Sequence, residues 1–421
     1  MEHRHLHELK HRGFTRYDDI GTALKKLFAT KLRKLESERV SLRNAANRTL
    51  STSIVAERSL PPYNRSLVDG YALRSTDTRD STRKNPSRLK ILSTIKLGDI
   101  PNLQISRNEC VHVLTGGYIP SGADAVVMFE HVEASKRQVK IPQPISKGAN
   151  LVEAGSDVRK GKLLFKQGHI LRWFELGLLA ALNKSTIRAF KKPRVAVLST
   201  GDELSEPGGT GTADSNRYVL LSAAQECGAY AIDLGIAKDD LKETLSALRR
   251  GLRSADMIVI SGGSSVGKKD LVPEAVAALG KPGLVVHGIA MRPGSPSGLG
   301  AVNGKPILIL PGLHVSALIG FYILGIPILE HLLGTEEPLS TIFTLRGRLM
   351  EDIQASKSMT SFRPVRVEMR GSDPLIHPIK PYGSSIVSSI AKADGIVEVG
   401  SNVGKLASGS VIVVHMLRPV S

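Results

Sequence analysis

One run in the second half of the chain, Asp256 to Asp270, concentrates residue types that bind anionic ligands. Met257 to Ile260 are apolar and mostly β-branched, which predicts a strand buried on both faces of a parallel sheet. The residues that follow supply backbone freedom, hydroxyls and positive charge: Ser261, Gly262, Gly263, Ser264, Ser265, Gly267, Lys268 and Lys269. Glycines at the carboxyl end of a buried strand let backbone N–H groups approach an anion closely. The run therefore predicts an anion site; a ligand-free strand–turn–helix corner is less favoured because the turn ends in Asp270 beside two lysines.

Two common kinds of site fit these residues poorly. Gly262 to Lys268 matches the P-loop spacing G-x-x-x-x-G-K, but Lys269 follows where a magnesium-binding Ser or Thr is needed. Two distant cysteines, Cys110 and Cys227, and scattered histidines offer no zinc-ligand spacing. A nucleotide hydrolase and a zinc site are therefore not favoured.

The balance of charge favours anionic partners. The 421 residues include 57 Lys and Arg against 39 Asp and Glu, a formal net charge of +18. Such a field attracts phosphates, oxyanions, nucleic acid or acidic proteins. Aromatic residues make up only 4% of the chain, which is poor for stacking bases, so nucleic acid is not favoured as the partner.

Three features predict a cytoplasmic protein that does not enter a membrane. Cys110 and Cys227 cannot form a disulfide framework and fit a reducing compartment. The amino end, MEHRHLHELKHR, is charged throughout, unlike a secretory signal. The longest apolar run, Val315 to Leu329, is short for a membrane span and contains Pro327, so we predict a buried core helix there.

Strands and helices alternate around the glycine-rich run, which predicts a doubly wound α/β sheet. Besides Met257 to Ile260, the predicted strands are Arg194 to Thr200, Ala231 to Ile236, Val285 to Met291 and Ile307 to Leu310. Helices are predicted from Asp214 to about Cys227, and from Asp239 and Asp240 through Leu252, with these aspartates as caps. Such a sheet gathers its carboxyl ends on one rim, predicted to carry Glu203, Asp239, Asp270, Arg292 and Ser316.

The flanking segments have a β texture with a few helices. Strand-like runs fill residues from about Leu73 to Leu151 and the chain after about Leu339. Helices are predicted at Ala23 to Phe28, with Asp18 and Asp19 as caps, at Leu42 to Leu50, and at Trp173 to Leu182. On the residues alone, Asp69 before Gly70 indicates an Asx-type turn, and Thr115 before Gly116 and Gly117 indicates a hairpin loop.

Several long motifs, in one order along nearly the whole chain, resemble the molybdopterin molybdenumtransferases, the MoeA-like family that includes the gephyrin E domain. PPYNRSLVDGYAL is similar to that family's PPFDNSAMDGYAV, and LTGGYIPSGADAVVM is similar to its MTGAPVPEGADAVVM. AGSDVRKG resembles its GEDIRRG. STGDEL, DSNRY, LGIAKDD and SGGSSVGKKD complete the set.

The resemblance implies a fold of α/β plus β type with four parts. These are an elongated, discontinuous N-terminal domain (residues 14–60 and 155–191), an inserted β-rich domain (61–154), an α/β molybdopterin-binding domain (192–336) and a small C-terminal β-barrel (340–421). It also implies an elongated homodimer.

The same resemblance implies the last step of molybdenum cofactor assembly. Molybdate, or tungstate, is inserted into adenylylated molybdopterin and AMP is released, with a divalent cation, Mg²⁺, assisting. The molybdopterin adenylyltransferase is a further implied partner.

By motif position, the resemblance assigns the catalytic residues, and the chemistry of the residues adds the metal ligands and the substrate-binding group. The catalytic group is Asp69, Thr115, Asp157, Glu203, Asp239 and Asp270, of which Asp239 and Asp270 would hold the metal. The substrate-binding group is Ser261, Gly262, Gly263, Ser265, Gly267, Arg292, Pro293, Pro296 and Ser316. Cleaving a phosphoanhydride requires that charge on the phosphate oxygens be neutralised, which these donors and a metal would do.

The chain departs from the family pattern at the expected oxyanion site. The family's K-P-G-K-P is here Arg292 to Pro296, with Ser295 in place of the second lysine, and its P-G-N-P-V-S has Leu313 and His314 in place of Asn-Pro. A third departure, away from the oxyanion site, is Asn64, Arg65 and Ser66 in place of Asp-Asn-Ser. Compensation for the lost lysine could come from Arg292, His314, Arg363 or Arg366. A non-catalytic paralogue that carries molybdopterin is the alternative.

Overall fold

The computed structural model describes residues 17–100, 102–263, 271–335, 337–338 and 343–419. Its first helix, α1 (Ile20–Phe28), begins after Asp19, whose carboxylate accepts a hydrogen bond from the Thr22 N–H group at 2.9 Å. This confirms one predicted cap, whereas Asp18 forms a 2.8 Å ion pair with Lys26 instead. The apolar face of α1 is buried in the core of the central sheet.

The helix predicted over Leu42 to Leu50 is wrong. Leu42–Asn44 form a single 3₁₀ turn, and Asn47 has a φ of 59°, which ends helical geometry. The Leu42 N–H group donates to the Ser185 carbonyl oxygen at 2.8 Å. Hydrogen bonding of this segment to residues distant in sequence therefore prevents the helix that its apolar spacing predicted.

The strands before the central sheet form one six-stranded sheet and three two-stranded ribbons. They are β1 (Ser37–Ser41), β2 (Ile54–Val55), β3 (Arg65–Ser66), β4 (Gly70–Leu73), β5 (Ser87–Ile95), β6 (Glu109–Val113), β7 (Ala125–Met128), β8 (Glu133–Ala134), β9 (Gln138–Ile141), β10 (Leu151–Val152), β11 (Leu163–Phe165) and β12 (Thr186–Phe190). The sheet has the order β7-β4-β6-β5-β9-β8, and the ribbons pair β1 with β12, β2 with β11 and β3 with β10. Helix α2 (Leu176–Ala181), after a 3₁₀ turn at Trp173–Glu175, confirms the helix predicted over Trp173 to Leu182.

Gly70, at the start of β4, lies in close contact with β7. A Cβ atom added at this position would lie 1.9 Å from the carbonyl oxygen of Val127. We expect Gly70→Ala to force the two strands apart and lower the free energy of unfolding by about 1–3 kcal/mol, measured by urea unfolding. Gly177→Ala is the control, because a Cβ atom there meets nothing within 4 Å. Equal stability changes in the two variants would contradict the prediction.

The centre of the chain confirms the doubly wound α/β sheet. Its strands are β13 (Arg194–Thr200), β14 (Leu204–Ser205), β15 (Thr212–Ala213), β16 (Tyr230–Ala237), β17 (Met257–Ser261), β18 (Pro282–His287), β19 (Met291–Arg292), β20 (Gly298–Val302) and β21 (Lys305–Leu310), and its helices are α3 (Ser215–Glu226), α4 (Leu241–Ser254) and α5 (Val272–Ala278). The sheet order is β16-β13-β17-β21-β20-β18, with the first four strands parallel. Apolar clusters cover both faces, as a parallel sheet requires.

Two details of this sheet differ from the prediction. The sequence did not predict β20, which runs antiparallel to both its neighbours. Its composition, GLGAV, has little β propensity, but Gly300 packs so closely that a Cβ atom would lie 2.8 Å from the Gly283 carbonyl oxygen. The strand predicted over Val285 to Met291 is split, since β18 ends at His287 and β19 pairs with a different sheet.

The core helix predicted over Val315 to Leu329 is confirmed and is longer. Helix α6 (His314–Gly320) continues through a π turn, Phe321–Gly325, into α7 (Ile326–Leu333). In the described part of the chain, this 20-residue stretch alone is long and apolar enough to cross a membrane by length and composition. In the structure 67% of its apolar window is buried, and it packs in the main hydrophobic cluster.

The carboxyl-terminal part confirms the predicted small β-barrel. Its elements are β22 (Thr344–Leu349), β23 (Ile353–Gln354), β24 (Thr360–Arg370), β25 (Asp373–Pro378), α8 (Val387–Ala391), β26 (Gly395–Val399), β27 (Lys405–Leu406) and β28 (Val411–Met416). The order β24-β25-β22-β28-β26 closes on itself because β24 also pairs with β26. Strand β19 of the central part adds to β24, so the α/β part and the barrel share a backbone ladder next to Arg292. The residue boundaries given for the four domains stay a prediction.

Candidate functional site

A cavity of about 680 Å³ lies at the carboxyl ends of β13, β17 and β21. Its wall includes six of the predicted site residues: Glu203, Asp239, Ser261, Gly262, Gly263 and Pro296. The parallel strand order brings these residues together from separate βα units. We call it the acidic cavity.

The glycine turn after β17 is shaped by packing against β13. Gly262 has a φ of 101°, and a Cβ atom there would lie 2.3 Å from the Thr200 carbonyl oxygen. A Cβ atom on Gly263 would lie 2.7 Å from a methyl carbon of Val272. Both glycines are therefore required by close packing at this edge of the acidic cavity. The predicted residues Ser265, Gly267 and Asp270 lie outside the described residues.

Asp239 and Asp240 have different roles, although either could have capped α4. The Asp240 carboxylate accepts the Glu243 N–H group at 2.8 Å and is the N-cap. Asp239 lines the acidic cavity, and its backbone N–H group donates to Asp202 at 3.1 Å. The carboxylate of Asp239 is thus not used as the cap, which favours the ligand-binding interpretation of this residue.

Polar groups from β13 and α3 complete the acidic cavity. Ser215 and Asn216, in the first turn of α3, line it, and a helix N-terminus favours negative charge. The hydroxyls of Ser199 and Thr200 also lie in the wall, and they are buried with no hydrogen-bond partner among the described residues. Buried hydroxyls normally have a partner, so these two fit a ligand with acceptor oxygens.

A second cavity, of about 620 Å³, lies between the α/β part and the barrel. Two arginines, Arg292 and Arg363, line it, and none of the described lining residues is a carboxylate. The predicted residues Pro293, Pro296 and Ser316 line it too, together with Ser295, Ser356, Ser384 and Ser389. We call it the arginine cavity, and its composition suits a small, highly charged anion.

Arg363, on β24 of the barrel, is one of the four residues predicted to compensate for the lost lysine. Its guanidinium lies 4.6 Å from the ring centroid of Tyr382, and one terminal nitrogen donates to the Gln354 carbonyl oxygen at 3.1 Å. Burial lowers the pKa of Arg363 from its ordinary value, and the charge of nearby Arg292 acts in the same direction. Its Nε atom is buried without a partner among the described residues. Arg366, the other candidate on this strand, is exposed and does not line the cavity.

The acidic and arginine cavities are neighbours with a common wall. Pro296, Pro311 and Leu313 line both of them. A ligand lying along this wall would meet carboxylates and unpaired hydroxyls at one end and two guanidinium groups at the other.

Three predicted catalytic residues lie elsewhere in the described chain. The backbone N–H group and hydroxyl of Thr115 both donate to Asp69, at 2.7 and 2.8 Å, and these hydrogen bonds lower the pKa of Asp69. Asp157 is exposed in a turn, and its backbone N–H group donates to the Leu60 carbonyl oxygen at 3.1 Å. None of the three lines the acidic or the arginine cavity.

Sequence reasoning missed two supports of the site. Arg217 in α3 is 4% exposed and bonds to Asp214 at 3.0 Å and to Asp233 at 2.9 Å, with Glu206 as a third partner. Asn216 links α3 to the glycine turn and to the loop after β21. The motif DSNRY contained both residues, but apart from Asp214 their partners come from distant parts of the chain, so local spacing could not identify these roles.

Comparisons with known proteins agree along the chain. Residues 19–183 match the MoeA N-terminal region (domain I and II), residues 196–331 match a probable molybdopterin binding domain, and residues 346–417 match the MoeA C-terminal region (domain IV).

Two curated relatives and one solved structure illustrate the similarity. Molybdopterin molybdenumtransferase 2 of Mycobacterium tuberculosis is 30% identical over 379 residues, 88% of this chain and 93% of that protein. Molybdopterin molybdenumtransferase of Bacillus subtilis is 29% identical over 391 residues, 91% of this chain and 90% of that protein. The crystal structure of a molybdopterin biosynthesis MoeA protein from Pyrococcus horikoshii has a TM-score of 0.84 and 32% identity, covering 96% of this chain and all of that one.

Proposed function

This chain belongs to the MoeA family of molybdopterin molybdenumtransferases, transferases of molybdenum cofactor biosynthesis, and we propose that it inserts molybdate or tungstate into adenylylated molybdopterin with release of AMP. The observation that carries the proposal is the wall shared by the acidic and arginine cavities. It lets a phosphoanhydride and a separate oxyanion lie side by side.

The acidic cavity is proposed to bind the phosphates. The first turn of α3 and the hydroxyls of Ser199 and Thr200 would meet the phosphate oxygens. Among the described residues no group of three His, Cys, Asp or Glu side chains could hold a metal alone. Magnesium commonly takes one or two carboxylates and completes its shell with water and phosphate oxygens, so Asp239 in the cavity wall fits that role, and Asp270, outside the described residues, stays its predicted partner. Bound there, Mg²⁺ would neutralise charge on the phosphates.

The arginine cavity is proposed to bind the oxyanion. Arg292 and Arg363 would donate to the oxygens of a tetrahedral dianion, with the Ser316 hydroxyl as an additional donor. Arg363 then supplies the positive charge that Ser295 lacks. Since size and charge are nearly the same for the two anions, this cavity suits molybdate and tungstate equally.

Asp69, Thr115 and Asp157 are proposed to act from the second subunit of a homodimer. They lie apart from both cavities of their own chain, and the hydrogen bonds from Thr115 keep Asp69 ionised. We further propose a cytoplasmic location and substrate delivery by the molybdopterin adenylyltransferase, because an adenylylated intermediate is better passed on directly than released.

A non-catalytic carrier of molybdopterin is the second candidate. It is favoured by Ser295, Leu313 and His314, which replace family residues in the walls of the two cavities. Tight binding of the pterin without turnover would support the carrier.

The test is incubation of the purified protein with adenylylated molybdopterin, Mg²⁺ and either molybdate or tungstate. We expect stoichiometric AMP and a cofactor that reconstitutes an apo-molybdoenzyme. A variant with Lys at 295 and Asn-Pro at 313 and 314 is the comparison. If the natural chain binds the pterin but neither it nor the variant releases AMP, the carrier is the correct function.

A further inference from the structure

His314, the first residue of α6, lies in the wall between two cavities. It lines both the acidic cavity and an apolar cavity of about 830 Å³. Its Nδ1 atom lies 3.1 Å from the Asn216 Oδ1 atom and 3.1 Å from the Ser215 hydroxyl. The imidazole is therefore fixed by α3 at the edge of the site where the phosphates are proposed to bind.

The neighbouring hydrogen bonds determine which imidazole nitrogen carries the proton. The Asn216 Nδ2 atom donates to the Gly312 carbonyl oxygen at 2.7 Å and to the Ser261 hydroxyl at 2.8 Å. A carbonyl oxygen only accepts, so the positions of Oδ1 and Nδ2 in the Asn216 amide cannot be exchanged. Oδ1 is therefore the atom that faces His314. An amide oxygen also only accepts, so Nδ1 must be the donor. Neutral His314 thus carries its proton on Nδ1 and a lone pair on Nε2.

Burial keeps the imidazole of His314 in its neutral, basic form. The titratable groups on the acidic-cavity side are Glu203, Asp214 and Asp239, and those lining the apolar cavity are Glu226, Arg418, Tyr218, Tyr322 and Cys227. Among the described residues, the hydrogen-bond partners of His314 are Ser215 and Asn216 and not these titratable groups. Burial lowers the pKa of His314 from its ordinary value, so the imidazole is neutral near pH 7.

We propose that His314 accepts, at Nε2, the proton of the water molecule that cleaves the phosphoanhydride of the adenylylated substrate. The inference rests on the proposed function and adds a general base to it. The water oxygen forms a bond to one phosphorus atom, and the bond from that phosphorus to the bridging oxygen breaks. The bridging oxygen leaves with the electron pair on the other phosphate. The water proton passes to Nε2, and the imidazolium later releases it to solvent.

This base is a property of the chain and not of the family pattern, which has proline at this position. Proline has no side-chain lone pair to accept a proton. Leu313 and His314 are therefore interpreted as a substitution that changes how water is activated, and not as a loss of the site.

His314→Asn is the decisive variant. The Asn Nδ2 atom can take the position of Nδ1 and donate to Asn216, but nothing replaces Nε2. We expect AMP release at saturating substrate to fall about 100-fold near pH 7.5, as for removal of a general base. In the natural chain, the rate of AMP release should fall on acidification as His314 becomes protonated. The variant should lack this acidic limb of the pH–rate profile. The dissociation constant for adenylylated molybdopterin should change less than about twofold.

The control is His331→Asn in α7, which removes an exposed histidine that is stacked on Phe28 and does not line the acidic cavity. It should retain both the rate and the acidic limb. An acidic limb that persists in His314→Asn, or an unchanged rate, would overturn the inference.

The ¹⁵N spectra of histidine-labelled protein give a reading independent of turnover. The signal lost in His314→Asn should belong to a neutral ring protonated at Nδ1. A proton on Nε2 would overturn the inference even if the natural chain releases AMP. If the natural chain releases no AMP but shows the Nδ1–H form, the proposed function fails while the structural assignment of His314 stands.

Discussion

Replacing Arg217 by Met should lower the free energy of unfolding by about 3–5 kcal/mol, the usual cost of removing one partner of a buried ion pair. Arg217 is 4% exposed and Asp214 is 2% exposed, and their side chains bond at 3.0 Å. Met fills similar space but leaves the carboxylate of Asp214 buried without its cation. Asp233 also loses its partner, yet it is 49% exposed and can be solvated. Urea unfolding followed by far-UV circular dichroism measures the change.

Two matched variants show whether the lost charge is the cause. Arg249→Met, at an exposed position of α4, should change stability by less than about 0.5 kcal/mol. Asp214→Asn combined with Arg217→Met should recover part of the loss, because Asn still caps α3 and carries no charge. Equal losses for Arg217→Met and Arg249→Met would refute the buried pair as a source of stability.

The double variant Arg292→Gln, Arg363→Gln should lower the affinity for tungstate about 10³-fold. Each guanidinium contributes charge-assisted hydrogen bonds worth about 1.5–3 kcal/mol, and the lining has no other described cation. Glutamine keeps hydrogen-bonding groups of similar shape, so the change isolates the charge. Equilibrium dialysis with metal analysis of the protein fraction gives the dissociation constants.

Arg366→Gln is the control for this loss. Arg366 lies on the same strand as Arg363 but is exposed and outside the arginine cavity, so its variant should bind tungstate as the natural chain does. Adding Ser295→Lys to Arg363→Gln should restore most of the affinity, since it returns one positive charge to the same wall. Equal effects of Arg363→Gln and Arg366→Gln would contradict the assignment.

Local sequence signals predicted the elements whose causes are local. Asp19, Asp214 and Asp240 each cap the helix that follows them, because an oxygen-bearing side chain before an amphipathic run is sufficient for that role. The alternation of buried strands with helices also predicted the rim on which Glu203 and Asp239 meet.

The remaining features depend on contacts between residues distant in sequence. Strand β20 is poor in β-branched residues and exists because its glycines allow neighbouring backbones to approach closely. Arg363 reaches Arg292 only because β19 adds to the barrel beside β24. The pairing of Asp69 with Thr115, 46 residues apart, depends on the β4–β6 ladder, and each residue alone indicated only a turn.

The most direct test of the two-cavity site is a crystal structure of the protein soaked with tungstate and AMP. Tungsten scatters anomalously, so its position does not depend on interpreting weak density. We expect one strong peak in the arginine cavity, within hydrogen-bonding reach of Arg292 and Arg363, with the AMP phosphate beyond Pro296 in the acidic cavity. Tungsten bound on another face of the molecule, with the arginine cavity empty, would contradict the two-cavity site.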